Sequence, residues 1–345
     1  MLVGLMQPFK EPTDLAKEIS IEAQSKGIEI LYMNPSDINE DDHMTSGMVL
    51  KEDTWENVEM SIPKIIDVSA FCLKSKQKIA YLQDRAYLTE DGRNKISKES
   101  VQEMLTKDPQ LQKYAIPTLR CKSFSIIKGF LIKYGEVVVK PVYSQSGENI
   151  YKIVQADKDS FLVSHQDSTA NANMTLKEVF AFFQSIISKR KCIVQPYIPS
   201  RTEQGEPFNC RVHLEKNKVG EWVIVKKYIR VGTEKQVSPN NQESGVTFDA
   251  GMFLTLKFTE DAPAVDEHLN SFALNVAKKI EKTRKKELAT LGLDIGIDKD
   301  QNLVLFESIS APDSSLLHQE VAQLRTDYYV YLAEQNANHS PKELA

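Results

Sequence analysis

Residues Val137–Ile150 read VVVKPVYSQSGENI, and the rest of the chain can be interpreted around them. Three consecutive valines run into Lys140, a short loop with Ser146 and Gly147 follows, and an apolar pattern then resumes. This pattern predicts a strand, a loop and a second strand. A lysine at a strand end fixes an ammonium group in space, and small loop residues let backbone N–H groups approach an anion.

A lysine beside such a loop suits the phosphates of a nucleotide. The chain contains neither a G-x-x-x-x-G-K-[ST] loop nor a G-x-G-x-x-G turn, so the two commonest phosphate-binding motifs are excluded. The residues alone leave a second interpretation open, in which Lys140 is a solvated charge beside a hairpin.

Composition limits the class of protein. With 345 residues, of which 41% are hydrophobic and 26% charged, the chain predicts a globular protein of two or three domains. A net charge of −5 argues against nucleic acid as the main partner. No apolar run is long enough for a membrane span, and the N-terminal residues do not resemble a signal peptide. Four cysteines without C-x-x-C spacing indicate free thiols in a reducing, cytoplasmic environment.

The N-terminal part predicts a βαβ unit. Leu2–Met6 has the pattern of a strand, a helix is expected after Pro12, and Gly27 separates that helix from a second apolar strand. Strand, helix and strand in this order favour parallel pairing in a small α/β domain, which we place at residues 1–78.

Further candidates follow in chain order. Lys98 begins a helix for which Ser97 is a suitable N-cap. The strand that contains Gln195 must leave its sheet at Pro196, which cannot donate a ladder hydrogen bond and leaves backbone groups there available to a ligand. Arg211 lies on an alternating strand. Arg230 lies on the next strand, and His213, on the face of Arg211, is expected to be an ordinary strand imidazole.

A late hairpin carries two acids. Asp294 is expected to lie near the pairing partner of Glu307, with the two carboxylates on neighbouring strands and apolar residues flanking both. Opposed carboxylates repel, and burial is tolerated when a cation lies between them, for which oxygen ligands favour Mg²⁺ or Mn²⁺. A merely charged hairpin face remains the alternative.

Two neighbouring segments complete the prediction. Residues 236–251 are expected to form a functional loop. Pro263 is expected to open an amphipathic helix that runs to Leu291, with six basic residues between Lys278 and Lys286 largely on its outer side. This face could bind an anionic partner, although a solvated helix face is the simpler interpretation.

Taken in order, these segments resemble the ATP-grasp superfamily, and within it the endospore coat-associated YheC/YheD-type proteins. The resemblance covers nearly the whole chain. It is carried by the segments ISKES, VVVKPVYSQSGENI, IVQPYI, GEPFNCRVHLEKN, YIRVG and ELATLGLDIGIDKDQNLVLFESISAPD. It implies two α+β subdomains that clasp ATP behind an N-terminal, Rossmann-like α/β preATP-grasp domain. We expect the preATP-grasp domain at 1–78, the small subdomain at 79–199 and the large subdomain at 200–345.

The resemblance also implies a role for each candidate. Lys98 and Lys140 would hold the α- and β-phosphates, and the loop with Ser146 and Gly147 would cover them. Backbone groups at Gln195, Tyr197 and Ile198 would bind the adenine edge. Arg211 and Arg230 would face the γ-phosphate and an acyl phosphate, and Asp294 and Glu307 would bind Mg²⁺ or Mn²⁺. The implied reaction activates a carboxylate with ATP for attack by an amine or another nucleophile, in a protein that could be a homo-oligomer.

Three departures from the family pattern support a second hypothesis. The family's Glu-x-Asn is Glu307-Ser308-Ile309 here, and an isoleucine side chain cannot bind a metal. Asn209 replaces an aspartate before Arg211, and the family's Gly-Gly is not kept in the segment that begins at Pro239. If the protein is a ligase, an oxygen of Ser308 or of Ser310 would have to replace the missing ligand. The alternative is a degenerate ATP-grasp protein with a binding or structural role, for example in a spore coat.

Overall fold

The computed structural model describes residues 1–143, 149–166, 171–233, 237–239 and 245–338, and Ser146 and Gly147 lie outside these ranges. The described residues form three β-sheets with helices packed against them. Among the helices in these ranges, we find none that combines the length and the apolar character needed to cross a bilayer.

The first sheet has the strand order β3-β4-β2-β1-β6-β7, with β5 paired to β4. Its strands are β1 (Leu2–Met6), β2 (Glu29–Met33), β3 (Ile38–Asn39), β4 (Met44–Lys51), β5 (Thr54–Ser61), β6 (Ile65–Val68) and β7 (Tyr87–Leu88), and its helices are α1 (Asp14–Ser25) and α2 (Lys76–Gln83). Strands β2, β1, β6 and β7 are parallel, as the βαβ pattern predicts. Thr13 caps α1 with its side chain, so the start of the first crossover helix is fixed locally.

The second sheet has the order β12-β11-β10-β9-β13-β8. Its strands are β8 (Leu119–Arg120), β9 (Glu136–Pro141), β10 (Tyr151–Asp157), β11 (Ser160–His165), β12 (Ala172–Thr175) and β13 (Cys192–Pro196), and the helices in this part of the chain are α3 (Lys98–Thr106), α4 (Phe124–Tyr134) and α5 (Leu176–Lys189). Strand β9, which ends just past Lys140, is central in this sheet. Thr175 and Glu178 form a capping box at α5.

The third sheet is antiparallel and has the order β16-β15-β14-β17-β18. Its strands are β14 (Phe208–Lys216), β15 (Trp222–Val231), β16 (Val246–Asp249), β17 (Thr290–Ile297) and β18 (Leu303–Ile309), and the helices that follow or separate them are α6 (Ala250–Phe258), α7 (Ala262–Arg284) and α8 (His318–Asn338). One face of β14 packs into the apolar core with α6 and α7, through Cys210, Val212 and Leu214. Strand alternation places Arg211, His213 and Glu215 on the other face.

Helix α8 ties the first sheet to the third. It packs against both α1 and β14. Its Arg325 lies between Asp67 of β6, at 3.3 Å, and Glu215 of β14, at 3.2 Å. Tyr329 also donates a 2.5 Å hydrogen bond to Asp67. These buried groups fix how the first sheet sits against the strand that carries Arg211.

Two predictions about secondary structure are wrong. The long helix ends at Arg284 instead of Leu291, because Lys285 takes a left-handed conformation (φ 49°) and Thr290 already begins β17. The 236–251 segment is not all loop, since β16 covers Val246–Asp249 and α6 starts at Ala250.

The basic residues predicted for one outer helix face are also not all exposed. Arg284 is 2% exposed and donates two 2.8 Å hydrogen bonds to Glu90. Lys286 lies beyond the helix and donates to the carbonyl of Leu88 at 2.6 Å. These two cations contact the end of β7 and the residue two positions beyond it, so the segment does not form one continuous basic face.

The division at residues 78 and 199 stays a prediction. The first sheet extends to Leu88, the second sheet runs from Leu119 to Pro196, and the third sheet starts at Phe208.

Candidate functional site

The two acids of the late hairpin lie side by side, as predicted. Asp294 of β17 pairs in register with Glu307 of β18, and the register shifts directly afterwards. Asp294 is fully buried, whereas the side chain of Glu307 is 17% exposed. A β-bulge next to paired polar residues is a common way to aim side chains into a site.

Two arginines hold Asp294. Nε of Arg211 donates to Oδ1 at 2.5 Å and its Nη2 donates to Oδ2 at 3.2 Å. Nη2 of Arg230 lies 2.6 Å from Oδ1. Burial alone would raise the pKa of Asp294, but the two guanidinium groups outweigh it and lower the pKa to about 2. Asp294 is therefore ionised at any physiological pH.

Asn209, where the family pattern has an aspartate, takes part in the same cluster. Its Oδ1 accepts a 3.1 Å hydrogen bond from Nε of Arg230. The neutral amide therefore orients this guanidinium without adding negative charge.

Lys98 reaches the other acid. Its Nζ lies 2.9 Å from Oε1 of Glu307. The helix start is fixed by Ser97, which accepts a 3.1 Å hydrogen bond from the N–H of Ser100. One turn further along α3, Gln102 donates to the carbonyl of Leu305 on β18 at 2.7 Å. This bond holds the helix against the hairpin and so keeps Lys98 beside Glu307.

Lys140 comes from the second sheet and meets the third. Its side chain is buried, and Nζ donates a 3.3 Å hydrogen bond to the carbonyl of Phe306, next to Glu307. Burial first, and then the nearby Lys98, lowers the pKa of Lys140 to about 8, although Glu307 and Asp294 act in the opposite direction. The two lysines therefore lie in the same cluster as the two acids.

A cleft separates the second and third sheets and opens beside this cluster. The space between its walls is about 640 Å³ when the part open to solvent is counted, and the centre of a water-sized sphere fits in about 70 Å³ of it. Its lining includes the charged Lys140 and Glu307 and the segment Gln195–Ile198. Apolar groups such as Phe208 and Phe306 complete its walls. An apolar cleft whose lining also includes charged groups suits a flat base joined to a polyanion.

The segment predicted to bind the base has several backbone groups already in use, among them the carbonyl of Ile198, which accepts a 3.0 Å hydrogen bond from the N–H of Ser200. The N–H of Tyr197 donates to the carbonyl of Glu136 at 3.0 Å. The Gln195 side chain is buried and donates to Oγ1 of Thr118 at 2.7 Å, so it braces the strand from inside. The chain leaves the sheet after Pro196, as its missing N–H predicts.

A contact that the sequence does not indicate spans the cleft. Gln166, at the end of the second sheet, donates to the carbonyl of Ser238 at 2.5 Å and accepts from its N–H at 2.8 Å. Residues 237–239 themselves line the cleft. The side-chain amide therefore holds this segment across the cleft through two backbone hydrogen bonds.

His213 behaves as the sequence predicts for a strand imidazole. It is buried on β14, and its Nε2 lies 2.8 Å from Oε1 of Glu215. Glu215 also contacts Arg325, so His213 belongs to the network that joins the third sheet to α8.

The oxygen atoms of this site provide only some of the ligands that a hard divalent cation such as Mg²⁺ requires. Two carboxylates on adjacent strands offer the oxygen ligands that Mg²⁺ prefers. Ile309, two residues after Glu307 on the same strand, adds no oxygen. Ser308 pairs with Leu293, which lies in the apolar core, so by strand alternation it is on the opposite side of the sheet from Glu307. Ser308 therefore does not replace the missing ligand.

Comparison with known proteins finds a matching family model and relatives of similar sequence. The family model of the YheC/D-like ATP-grasp proteins matches residues 92–334. Endospore coat-associated protein YheD of Bacillus subtilis (strain 168) is 21% identical over 99% of this chain and 79% of the relative. Endospore coat-associated protein YheC of the same organism is 23% identical over 87% of this chain and 85% of the relative.

A solved structure shows the same fold. D-cycloserine synthetase DcsG superposes with a TM-score of 0.59 at 13% identity, covering 95% of this chain and 99% of that one. At this identity the likeness concerns the fold alone. The fold is the ATP-grasp fold that the resemblance implied, and this chain belongs to the YheC/D-like ATP-grasp family.

Proposed function

We propose that this protein binds ATP with Mg²⁺ or Mn²⁺ in the cleft between its second and third sheets. The observation that carries the proposal is the meeting of four cations with two acids in one cluster, of which Lys140 and Glu307 line that cleft. The cations are Lys98, Lys140, Arg211 and Arg230, and the acids are Asp294 and Glu307. ATP-grasp proteins generally bind ATP and Mg²⁺, and the family membership supports the same ligands here.

We further propose that the bound ATP activates a carboxylate. The γ-phosphoryl group passes to the carboxylate oxygen, ADP leaves, and an amine or other nucleophile then displaces phosphate from the acyl phosphate. Such a transfer depends on positioning and charge neutralisation, so it needs no nucleophilic side chain. A bound divalent cation would neutralise phosphate charge. Lys140 and Lys98 would hold the phosphates, and Arg211 and Arg230 would orient the transferred group.

A base would lie against the segment at Gln195–Ile198. The N–H of Tyr197 already has an acceptor in Glu136 and the carbonyl of Ile198 already has a donor in Ser200, so the N–H of Ile198 and the carbonyl of Tyr197 are proposed to contact the adenine edge. Phe208 and Pro196 would supply apolar contact. These roles, like those of the phosphate loop, are proposals.

A second function is favoured by one observation. Every carboxylate of the proposed metal site has a basic partner, and Ile309 supplies no third ligand. This suits a degenerate ATP-grasp protein that binds nucleotide and serves as a structural or coat-associated component. The names of the two Bacillus relatives support spore association as a proposal.

Thermal unfolding tests nucleotide binding, which both functions require, and ADP release separates the two. ATP with Mg²⁺ should raise the midpoint, because a ligand that binds only the folded state stabilises it, by about 2.7 kcal/mol at a hundredfold excess over Kd. Lys140→Met should abolish the shift, whereas the same change at the exposed Lys122 should keep it. ADP release with pooled amino acids as carboxylate and amine would indicate the ligase. A shift without ADP release would favour the binding protein, and no shift at millimolar ATP would refute both functions.

A further inference from the structure

Exposed apolar side chains are concentrated on the edge strand of the third sheet and on the helix that follows it. Four large apolar residues close together in the chain are exposed there: Val246 (57%), Phe248 (43%), Met252 (66%) and Leu256 (78%). We call these residues the β16–α6 patch. Apolar surface that is concentrated in this way on a globular protein marks a contact with another molecule.

Helix α6 is apolar on both of its sides. One side packs into the core through residues that include Leu254, and Met252 and Leu256 lie one turn apart on the opposite side. The single charged residue of the helix, Lys257, is directed elsewhere, because its Nζ donates a 3.0 Å hydrogen bond to the carbonyl of Arg201. A helix at a water-exposed surface normally carries polar residues on its outer side, so α6 has the composition of a buried helix.

Strand β16 continues the apolar face of the third sheet to the edge of that sheet. In the part of the chain that the structure describes, β16 pairs only with β15. Phe248 lies opposite Ile229, which is buried in the core, and its ring centroid is 6.3 Å from that of Phe253 on α6. Val246 lies on the same face by strand alternation. The apolar layer between the sheet and its helices is therefore exposed at this edge, beside backbone N–H and C=O groups that an edge strand leaves available for pairing.

The geometry of this edge fits a second copy of the same chain. A two-fold axis perpendicular to the sheet would set β16 antiparallel to β16 of the second copy and keep both apolar faces on the same side, as an isologous contact requires. Directly opposed side chains share a face, so Phe248 would meet either Phe248 or Val246 of the second copy. Neither register sets Asp249, the one charged residue of the strand, against Asp249 of the second copy.

The charges around the patch disfavour other occupants. Glu260 and Asp261, just beyond the end of α6, are exposed acids that would repel an anionic bilayer surface or an acidic partner. A basic partner would need carboxylates directed to it from the patch, but Asp249 is the N-cap of α6 and accepts a 3.1 Å hydrogen bond from the N–H of Met252. An uncharged apolar surface is matched best by another uncharged apolar surface.

We propose that two copies of this chain form a two-fold dimer through the β16–α6 patch, in which the third sheets join into one continuous sheet and the exposed sides of both α6 helices are covered. This contact is distinct from the proposed nucleotide cleft, and the inference does not depend on ATP binding. Asp249 pairs with Tyr228, and Tyr228 pairs with Arg211. The contact between the copies therefore lies two strands away from an arginine of the charged cluster.

Sedimentation equilibrium of the full chain, without nucleotide, measures the association. We expect a dimer at micromolar concentration. Leu256→Glu places a carboxylate in the contact twice, once from each copy, and should raise the dissociation constant of the dimer at least ~100-fold. Because Leu256 is exposed in the single chain, the variant should keep its fold, which circular dichroism checks. Ile132→Glu is the matched control, since Ile132 is 73% exposed on α4 and its substitution should leave the dissociation constant unchanged.

A cross-link locates the contact independently of Leu256. Phe248→Cys sets two thiols opposite each other in one of the two registers, and Thr247→Cys does so in the other. Oxidation by oxygen with copper phenanthroline should give a disulfide-linked dimer with one of these variants, because opposed strand positions lie within the Cα separation that a disulfide spans. Ile132→Cys should give none.

Three results would overturn the inference. One is a monomer at every concentration up to ~100 μM. Another is a dimer that Leu256→Glu and Ile132→Glu weaken equally, which would assign the contact to another surface. The third is the absence of a cross-link with both of the cysteine variants in β16.

Discussion

Asp294→Asn is the most informative single substitution for the stability of the site. It keeps the shape of the side chain and removes the charge that two arginines share. The side chains of Arg211 and Arg230 are only 8% and 18% exposed, so water cannot replace the lost carboxylate. The variant therefore leaves two neighbouring cations with no anion between them.

The expected loss follows from two arguments. Lowering the pKa of Asp294 from 3.8 to about 2 corresponds to about 2 kcal/mol of net stabilisation of the ionised form. Removing one partner of a buried ion pair typically costs about 3–5 kcal/mol, because the other partner stays buried and unpaired. We expect the free energy of unfolding to fall by about 2–5 kcal/mol.

Urea unfolding followed by tryptophan fluorescence measures this loss, since Trp222 is buried at the start of β15 in the same sheet. Asp300→Asn is the matched control. Asp300 lies in the turn of the same hairpin, and its side chain is 65% exposed, so its loss should be within about 0.5 kcal/mol. Inorganic triphosphate should restore part of the stability of the Asp294 variant by pairing with the arginines. Equal unfolding midpoints for the two variants would refute the buried ion-pair interpretation.

Three further predictions concern pH, the interface between sheets and the missing ligand. Because the pKa of Lys140 falls from 10.5 to about 8 on folding, the unfolded chain binds more protons between those values. The contribution of Lys140 to stability therefore rises with pH in that window, whereas the affinity for ATP, measured by calorimetry, should fall as the pH passes 8. An ATP affinity that does not change with pH would contradict this prediction. Lys140→Arg should remove the pH dependence of the affinity. Arg325→Met leaves Glu215 and Asp67 buried without their cation and should cost about 3–5 kcal/mol in urea unfolding, and a loss below 1 kcal/mol would contradict it. If the protein turns over ATP, Ile309→Asn should lower the Mg²⁺ concentration needed for half-maximal ADP release, and an unchanged concentration would argue against a missing ligand.

Local signals in the sequence predicted the hairpin of the site well. The short turn between two apolar strands predicted a hairpin with Asp294 near the partner of Glu307, but the register of the turn alone would place Phe306 opposite Asp294. The register shift between Asp294 and Ile295 makes Glu307 the partner, and the sequence did not predict that shift. Ser97 marked the helix start that carries Lys98. In each case the information lies within a few residues of the feature.

Long-range partners could not be predicted in the same way. Arg211 and Asp294 are 83 positions apart, and their contact depends on β14 lying beside β17. The burial of Arg284 depends on Glu90, 194 positions away. The spacing of Leu288 and Leu291 continued the helical period, so only the observed strand at Thr290 revealed the end of the helix.

The central claim is that the cleft beside Asp294 and Glu307 binds a nucleotide together with a metal ion. A crystal structure with a non-hydrolysable ATP analogue and Mn²⁺, with the ion located by its anomalous scattering, tests it most directly. We predict phosphate oxygens on Lys98 and Lys140 and the manganese between the two carboxylates. A nucleotide bound elsewhere, or a manganese ion away from both acids, would contradict the account.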